Sequence, residues 1–171
     1  MLKKVLLVIL GVILVLVACS YILPDQYSVS RITFIAATAE EVHEVVSDLT
    51  TWQEWTVWNK SLDPGLEVEY SIKESVVGSS SSWTGDSMEP GTMEIISAEP
   101  GRGIVYTLEF EGMPAAQGVI QITQMKGGSE VLWMMDGIAM PPLGPYMIGF
   151  IESIIGNDFD AGLKNLKERL Q

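Results

Sequence analysis

Few side chains in this sequence could do acid–base or nucleophilic chemistry. His43 is the only histidine and Cys19 the only cysteine. An imidazole base would therefore have to be His43, but that residue follows Val42 in a helical pattern whose apolar stripe is Val42, Val45, Val46 and Leu49. The spacing predicts a solvated histidine on the flank of the helix. No nucleophile-elbow motif accompanies it. A carboxylate pushed into an apolar cavity would hold its proton more tightly and could act as an acid or base. Glu109 and Glu111 share one strand face, but Ile104, Tyr106, Leu108 and Phe110 occupy the other, so the glutamates are expected in solvent. Asp136 shares parity with Leu132, Met134 and Ile138, which makes it the better catalytic candidate. With one cysteine and one histidine, neither a disulfide framework nor a thiolate or histidine-rich metal centre is expected, and no metal or cofactor.

The aromatic and thioether side chains offer binding rather than reaction. Trp52, Trp55 and Trp58 are spaced three apart and on a helical turn would form one ridge. That ridge would either pin a short helix against a sheet edge or form a lip over a cavity mouth or membrane interface. Met113, Met125, Met134, Met135, Met140 and Met147 cluster in the last third of the chain; flexible thioethers suit an adaptable apolar pocket and also serve as core filler. Tyr70, Trp83, Tyr106, Phe110, Met134 and Met147 are the expected cavity lining, the tyrosines and Trp83 giving it polar ends.

The elements that would position these residues begin with a conflict in composition. The chain of 171 residues carries 22 acidic against 10 basic side chains, a net charge of −12, yet its mean hydropathy is +0.27. Residues 1–23 resolve the conflict, since apart from Lys3, Lys4, Gly11 and Ser20 they are all apolar. Val5 to Leu23 would span about 28 Å as a helix, close to the hydrocarbon thickness of a bilayer. Lys3 and Lys4 precede this run and Asp25 follows it, so the domain is expected outside the cytoplasm. Residues 1–24 thus read as a single-pass membrane anchor. Leu16-Val17-Ala18-Cys19 also has the form of a lipobox, in which residues 1–18 are cleaved and Cys19 is lipidated; the apolar run past the cysteine favours the anchor. Residues 25–171 form one acidic domain, to which a nucleic-acid backbone would be repelled.

Gln26–Ala36 reads as a first strand, and Thr38 with Glu41 has capping-box spacing before a short helix to about Asp48. From Leu66 to Lys73 apolar and polar residues alternate, predicting a half-buried strand. Further strands are expected near Gly78–Gly85, Thr92–Ala98, Gly103–Glu111, Gln117–Met125 and Glu130–Ile138, separated by short turns, as in an antiparallel meander. Pro141, Pro142 and Pro145 precede a long helix to Leu170 with apolar residues at 151, 155, 159, 163, 166 and 170. The fold class is α+β, a curved antiparallel sheet of about seven strands around a long C-terminal helix, preceded by one membrane helix.

Several phrases carry a resemblance across nearly all of residues 23–170. They are Leu23-Pro24 before Tyr27-Ser28-Val29-Ser30-Arg31, Ile35-Ala36-Ala37 running into Glu41-Val42, and Trp52-x-x-Trp55-Thr56-Val57-Trp58. Ser82-Trp83-Thr84-Gly85, Gly91-Thr92-Met93-Glu94-Ile95 and Asp158-Phe159-x-x-Gly162-Leu163-x-x-Leu166-Lys167 follow. In this order the chain resembles the START-like (SRPBCC) helix-grip superfamily, most of all its polyketide cyclase/dehydrase-like branch, whose members often begin with a membrane helix. The resemblance implies an apolar cavity between sheet and terminal helix for a lipid or other hydrophobic small molecule. It implies no reaction, because the superfamily holds enzymes and carriers alike and no cyclase motif matches here. The expected function is a membrane-tethered module that binds such a molecule. The alternatives are an enzyme using Asp136 and a protein-interaction domain with a filled core.

Overall fold

The computed structural model describes residues 1–171. An apolar helix, α1 (Leu2–Ser20), precedes the domain and is long and apolar enough to cross a membrane. The domain then runs β1 (Gln26–Ile35), α2 (Ala39–Ser47), a 3-10 turn (Leu49–Thr51) and α3 (Trp52–Trp55). β2 (Glu67–Ser71), β3 (Ser80–Thr84), β4 (Gly91–Glu99), β5 (Gly103–Phe110), β6 (Ala116–Met125), β7 (Gly128–Ile138) and α4 (Gly144–Leu170) follow. The seven strands form one antiparallel sheet in the order β1-β7-β6-β5-β4-β3-β2, packed against the long C-terminal helix. This is the α+β helix-grip architecture expected from the element order.

Local chemistry explains the boundaries. The Thr38 hydroxyl accepts from the Glu41 backbone N–H, and the Glu41 carboxylate accepts from the Thr38 N–H at 2.8 Å, a complete capping box. α2 lies on β5, β6 and β7 through Ala39, Val42, His43 and Val46. This i, i+3, i+4, i+7 stripe is one turn N-terminal to the one expected, so His43 is buried rather than solvated.

Strand register fixes where the halves of the domain lie. The start of β1 pairs with the end of β7, and Ala116 at the start of β6 pairs with Leu108 near the end of β5. Gly91 at the start of β4 pairs with Phe110 and with Trp83, and Val68 near the start of β2 pairs with Trp83. These residues share one end of the sheet, where the chain also leaves α1 and enters α4. α2 covers the sheet towards the other end, beyond the end of β1. The core between them contains Ile35, Ile95, Ile104, Ile120, Val131 and Trp133, closed by Phe159, Leu163 and Leu166 of α4.

β7 corrects one expectation. Val131, Trp133 and Met135 face the core, whereas Leu132, Met134 and Asp136 point to the opposite face. Asp136 is exposed. That face is itself partly apolar, with Ile32 of β1 beside Leu132 and Val119 of β6 beside Met134, so apolar parity did not mark the inside.

Candidate functional site

A cavity of about 390 Å³ lies at the α1 end of the sheet, between sheet, α3 with its following loop, and α4. Of its 22 lining residues, 17 are hydrophobic, so bound matter there is held chiefly by apolar contact. The floor comes from the strands: Tyr27, Met135, Ala116, Leu108, Phe110, Met93, Trp83 and Tyr106. Trp52, Thr56, Trp58, Leu62 and Leu66 form one wall, and Ile155 and Asp158 of α4 form another.

The large aromatics of the floor are laid down by glycines. Tyr27 pairs across the sheet with Gly137, Trp83 with Gly91 and Tyr106 with Gly118. A Cβ at any of these glycines would collide with its aromatic partner. Each ring therefore leans over the neighbouring strand, covering bare backbone instead of standing straight into the cavity. The Tyr106 hydroxyl then accepts from the Trp133 indole N–H at 2.8 Å, a wholly buried bond. Burial drives the Tyr106 phenol far above its ordinary range, so it stays neutral. Trp133 stacks on Phe159 at 4.1 Å between centroids, and Trp52, Trp55 and Trp58 surround its other sides at 5.1 to 6.0 Å.

Two carboxylates in this half of the domain have different environments. Asp63 is buried and accepts backbone N–H bonds from Gly65, Ser87 and Met88 at 2.8 to 3.0 Å, joining the loop before β2 to the loop after β3. Those bonds hold its pKa down to about 2, so it is an ionised staple rather than an acid–base group. Asp158 is half-buried at the cavity wall. Desolvation raises its carboxyl above the usual range, and the neighbouring Trp58 indole partly offsets this.

Tyr70, Trp83, Tyr106 and Phe110 line this cavity, as do Trp52 and Trp58. Trp55 does not form a lip: it is fully buried behind Trp52, against Trp133 and close to Gly162. Met134 lies on the outer face of β7, and the lining methionine of that strand is Met135, one residue on. Met147 is exposed on the first turns of α4, before that helix reaches the sheet. Asp136 is also outside the cavity, turned to solvent beside Ser28 and Gln117, and Glu109 and Glu111 are exposed as their alternation requires. His43 is buried under α2 with Nδ1 unpartnered, and desolvation lowers its pKa against a smaller upward pull from Glu44. It does not line the cavity. Asp158, Tyr27 and Met135 were not anticipated as lining; Asp158 follows the apolar helix position at 155 by three residues, which is the signal that places it inward. Cys19 is exposed in the last turn of α1.

A curved antiparallel sheet gripping a C-terminal helix around an apolar cavity defines a hydrophobic-ligand-binding class of the START-like kind. The chain belongs to the polyketide cyclase/dehydrase and lipid transport family, whose model matches residues 26–171. Among curated proteins, none matches it in sequence. Solved structures share its fold at low identity. Protein CV1439 from Chromobacterium violaceum is 16% identical with a TM-score of 0.61, the match covering 84% of this chain and 96% of that one. The protein TTHA0849 from Thermus thermophilus is 16% identical with a TM-score of 0.62, again covering 84% of this chain and 96% of that one. The di-domain ARO/CYC protein StfQ from the steffimycin biosynthetic pathway is 12% identical with a TM-score of 0.67, covering 85% of this chain and 51% of that one.

Proposed function

We propose that this protein holds a hydrophobic small molecule or lipid in the cavity between sheet and α4, on the outer side of a membrane to which α1 tethers it. The observation that carries this reading is the cavity itself, about 390 Å³ with a lining that is mostly hydrophobic. At roughly 30 Å³ per methylene-sized group, it accepts on the order of a dozen heavy atoms. The tether rests on the uncharged run of α1 from Val5 onward and on Lys3 and Lys4 in its first turn. Its continuity through Cys19 to Ser20, and the Tyr146 hydroxyl donating to the Leu16 carbonyl at 2.7 Å, support an uncleaved anchor over lipidation at Cys19. Intact-mass measurement of the purified protein decides that point.

The test of binding is native mass spectrometry of the full chain, released from detergent after incubation with a lipid extract. An apolar adduct at one-to-one stoichiometry is expected; a chain that retains none would overturn the reading. The enzyme reading has one observation in its favour, the raised carboxyl of Asp158 at the cavity wall. Under that reading Asp158, not Asp136, is the acid–base group, and Asp158→Asn abolishes turnover of a bound compound. Under the binding reading the same variant leaves adduct formation within about threefold, since most of the affinity is apolar.

A further inference from the structure

The first turns of α4 bury none of their side chains fully and leave most of them exposed. The buried residues of this helix are Gly156, Phe159, Gly162, Leu163 and Leu166, all from its middle onward. From Met140 to Ile151 the chain carries no charge at all. Met140, Leu143, Tyr146, Met147, Phe150 and Ile154 are exposed, Leu143 by 73% and Phe150 by 59%. An amphipathic surface helix keeps a polar side for water, but this stretch is apolar on every side. It also runs beside α1, where the Tyr146 hydroxyl meets the Leu16 carbonyl one turn before that helix ends. The same end of the sheet carries the cavity, as the register of Tyr27, Met135, Ala116, Phe110 and Trp83 requires.

We infer that the first turns of α4 lie in the interface of the bilayer that α1 spans, with the cavity mouth turned towards the lipid. The occupant is the bilayer because the patch is continuous with α1. Charge supports this too: in a chain of net charge −12, the stretch from Met140 to Ile151 that meets α1 carries none. An apolar helix with a tyrosine at one edge matches the interfacial zone. The cargo class follows: a membrane-resident amphiphile whose apolar part passes from the bilayer into the cavity past Ile155 without crossing water. This rests on the tether and binding proposed above, and adds the geometry of access.

The test uses the full chain, with Cys19 intact, reconstituted in phosphatidylcholine vesicles with ordinary or brominated acyl chains. Phe150→Trp and Met147→Trp each add one tryptophan at an exposed position, and Lys164→Trp adds one on the far half of α4. The added emission at 150 and 147 is expected to be blue-shifted and quenched about twofold by brominated lipid, and that at 164 unaffected. Water-like, unquenched emission at both 150 and 147 overturns the inference. So does blue-shifted but unquenched emission from a protein that is dimeric in a lipid nanodisc, which would make a second copy the occupant. A second arm measures uptake of a fluorescent lysophospholipid by Met147→Asp/Phe150→Asp. Uptake from vesicles should slow about tenfold relative to wild type, with uptake of the dispersed monomer unchanged; equal slowing of both overturns the inference. If wild type takes up no probe from either source, the binding reading fails, and the quenching result still decides where α4 lies.

Discussion

Filling the cavity should move stability and binding in opposite directions. Ala116 begins β6, is 7% exposed, pairs with Leu108 and lines the cavity floor. Ala116→Phe adds a six-carbon ring pointing into about 390 Å³ of space. Burying a phenylalanine side chain is worth about 1.5–3 kcal/mol, of which cavity filling commonly realises about 0.5–2 kcal/mol. For a domain of this size that raises Tm by roughly 2–6 °C. The ring also takes about half of the room for a dozen ligand atoms. Each ligand methylene kept out loses about 0.8 kcal/mol, so six lose about 4–5 kcal/mol, a weakening of at least about a hundredfold. The assay pairs thermal unfolding by near-ultraviolet circular dichroism with titration of an environment-sensitive fluorescent fatty acid, both on the full chain in nanodiscs. A lowered Tm with unchanged probe affinity would refute the reasoning. That is the outcome for a packed interior, where overfilling costs about 1–3 kcal/mol.

Tyr106→Phe removes the acceptor of the buried Trp133 indole N–H. It should lower stability by about 1–3 kcal/mol, seen as a lower urea midpoint and a shifted Trp133 indole proton resonance; an unmoved resonance would contradict that hydrogen bond. His43 makes a pH prediction. Its folded pKa lies below 6.5 because burial opposes the charge, so below about pH 6.5 the unfolded chain binds the proton first and stability falls as pH drops. His43→Leu should flatten this slope between about pH 7 and pH 5, measured by unfolding midpoints. A slope unaffected by the substitution would remove His43 as its source.

The strands differ in how openly they declare their faces. β5 is legible because Ile104, Tyr106, Leu108 and Phe110 alternate with half-buried or exposed residues, ending in Glu109. β7 is not, because Val131 to Met135 is apolar throughout, and both faces of the sheet accept apolar side chains there. Only its register against β1 and β6 shows that Trp133 is inside and Asp136 outside. α2 posed the same ambiguity in helical form, since an imidazole completes the stripe of Ala39, Val42 and Val46 as well as Val45 or Leu49 would extend it. Asp63 precedes Pro64 and Gly65, a pair that announces a local turn. Its bonds to Ser87 and Met88, however, lie more than twenty residues away, and no local pattern encodes such a reach.

The polar groups around the cavity limit what it can recognise. The Gln53 amide donates to the Tyr70 hydroxyl at 2.9 Å, the Thr56 hydroxyl to the Trp52 carbonyl at 2.7 Å, and the Trp83 indole to the Glu89 carbonyl at 2.9 Å. Tyr106 is engaged by Trp133. These groups are engaged before a ligand arrives, leaving the Tyr27 and Ser81 hydroxyls and the Glu89 and Asp158 carboxylates of a lining that is otherwise apolar, so a ligand is selected chiefly by size and apolar area. A site built to bond a particular hydroxyl or amide discriminates by about 10⁴–10⁵, whereas one methylene in an apolar pocket discriminates only about 10–200-fold. This cavity belongs to the second kind. Its selectivity must then come from what reaches the mouth, and a mouth turned to the bilayer restricts that to molecules already dissolved in the membrane.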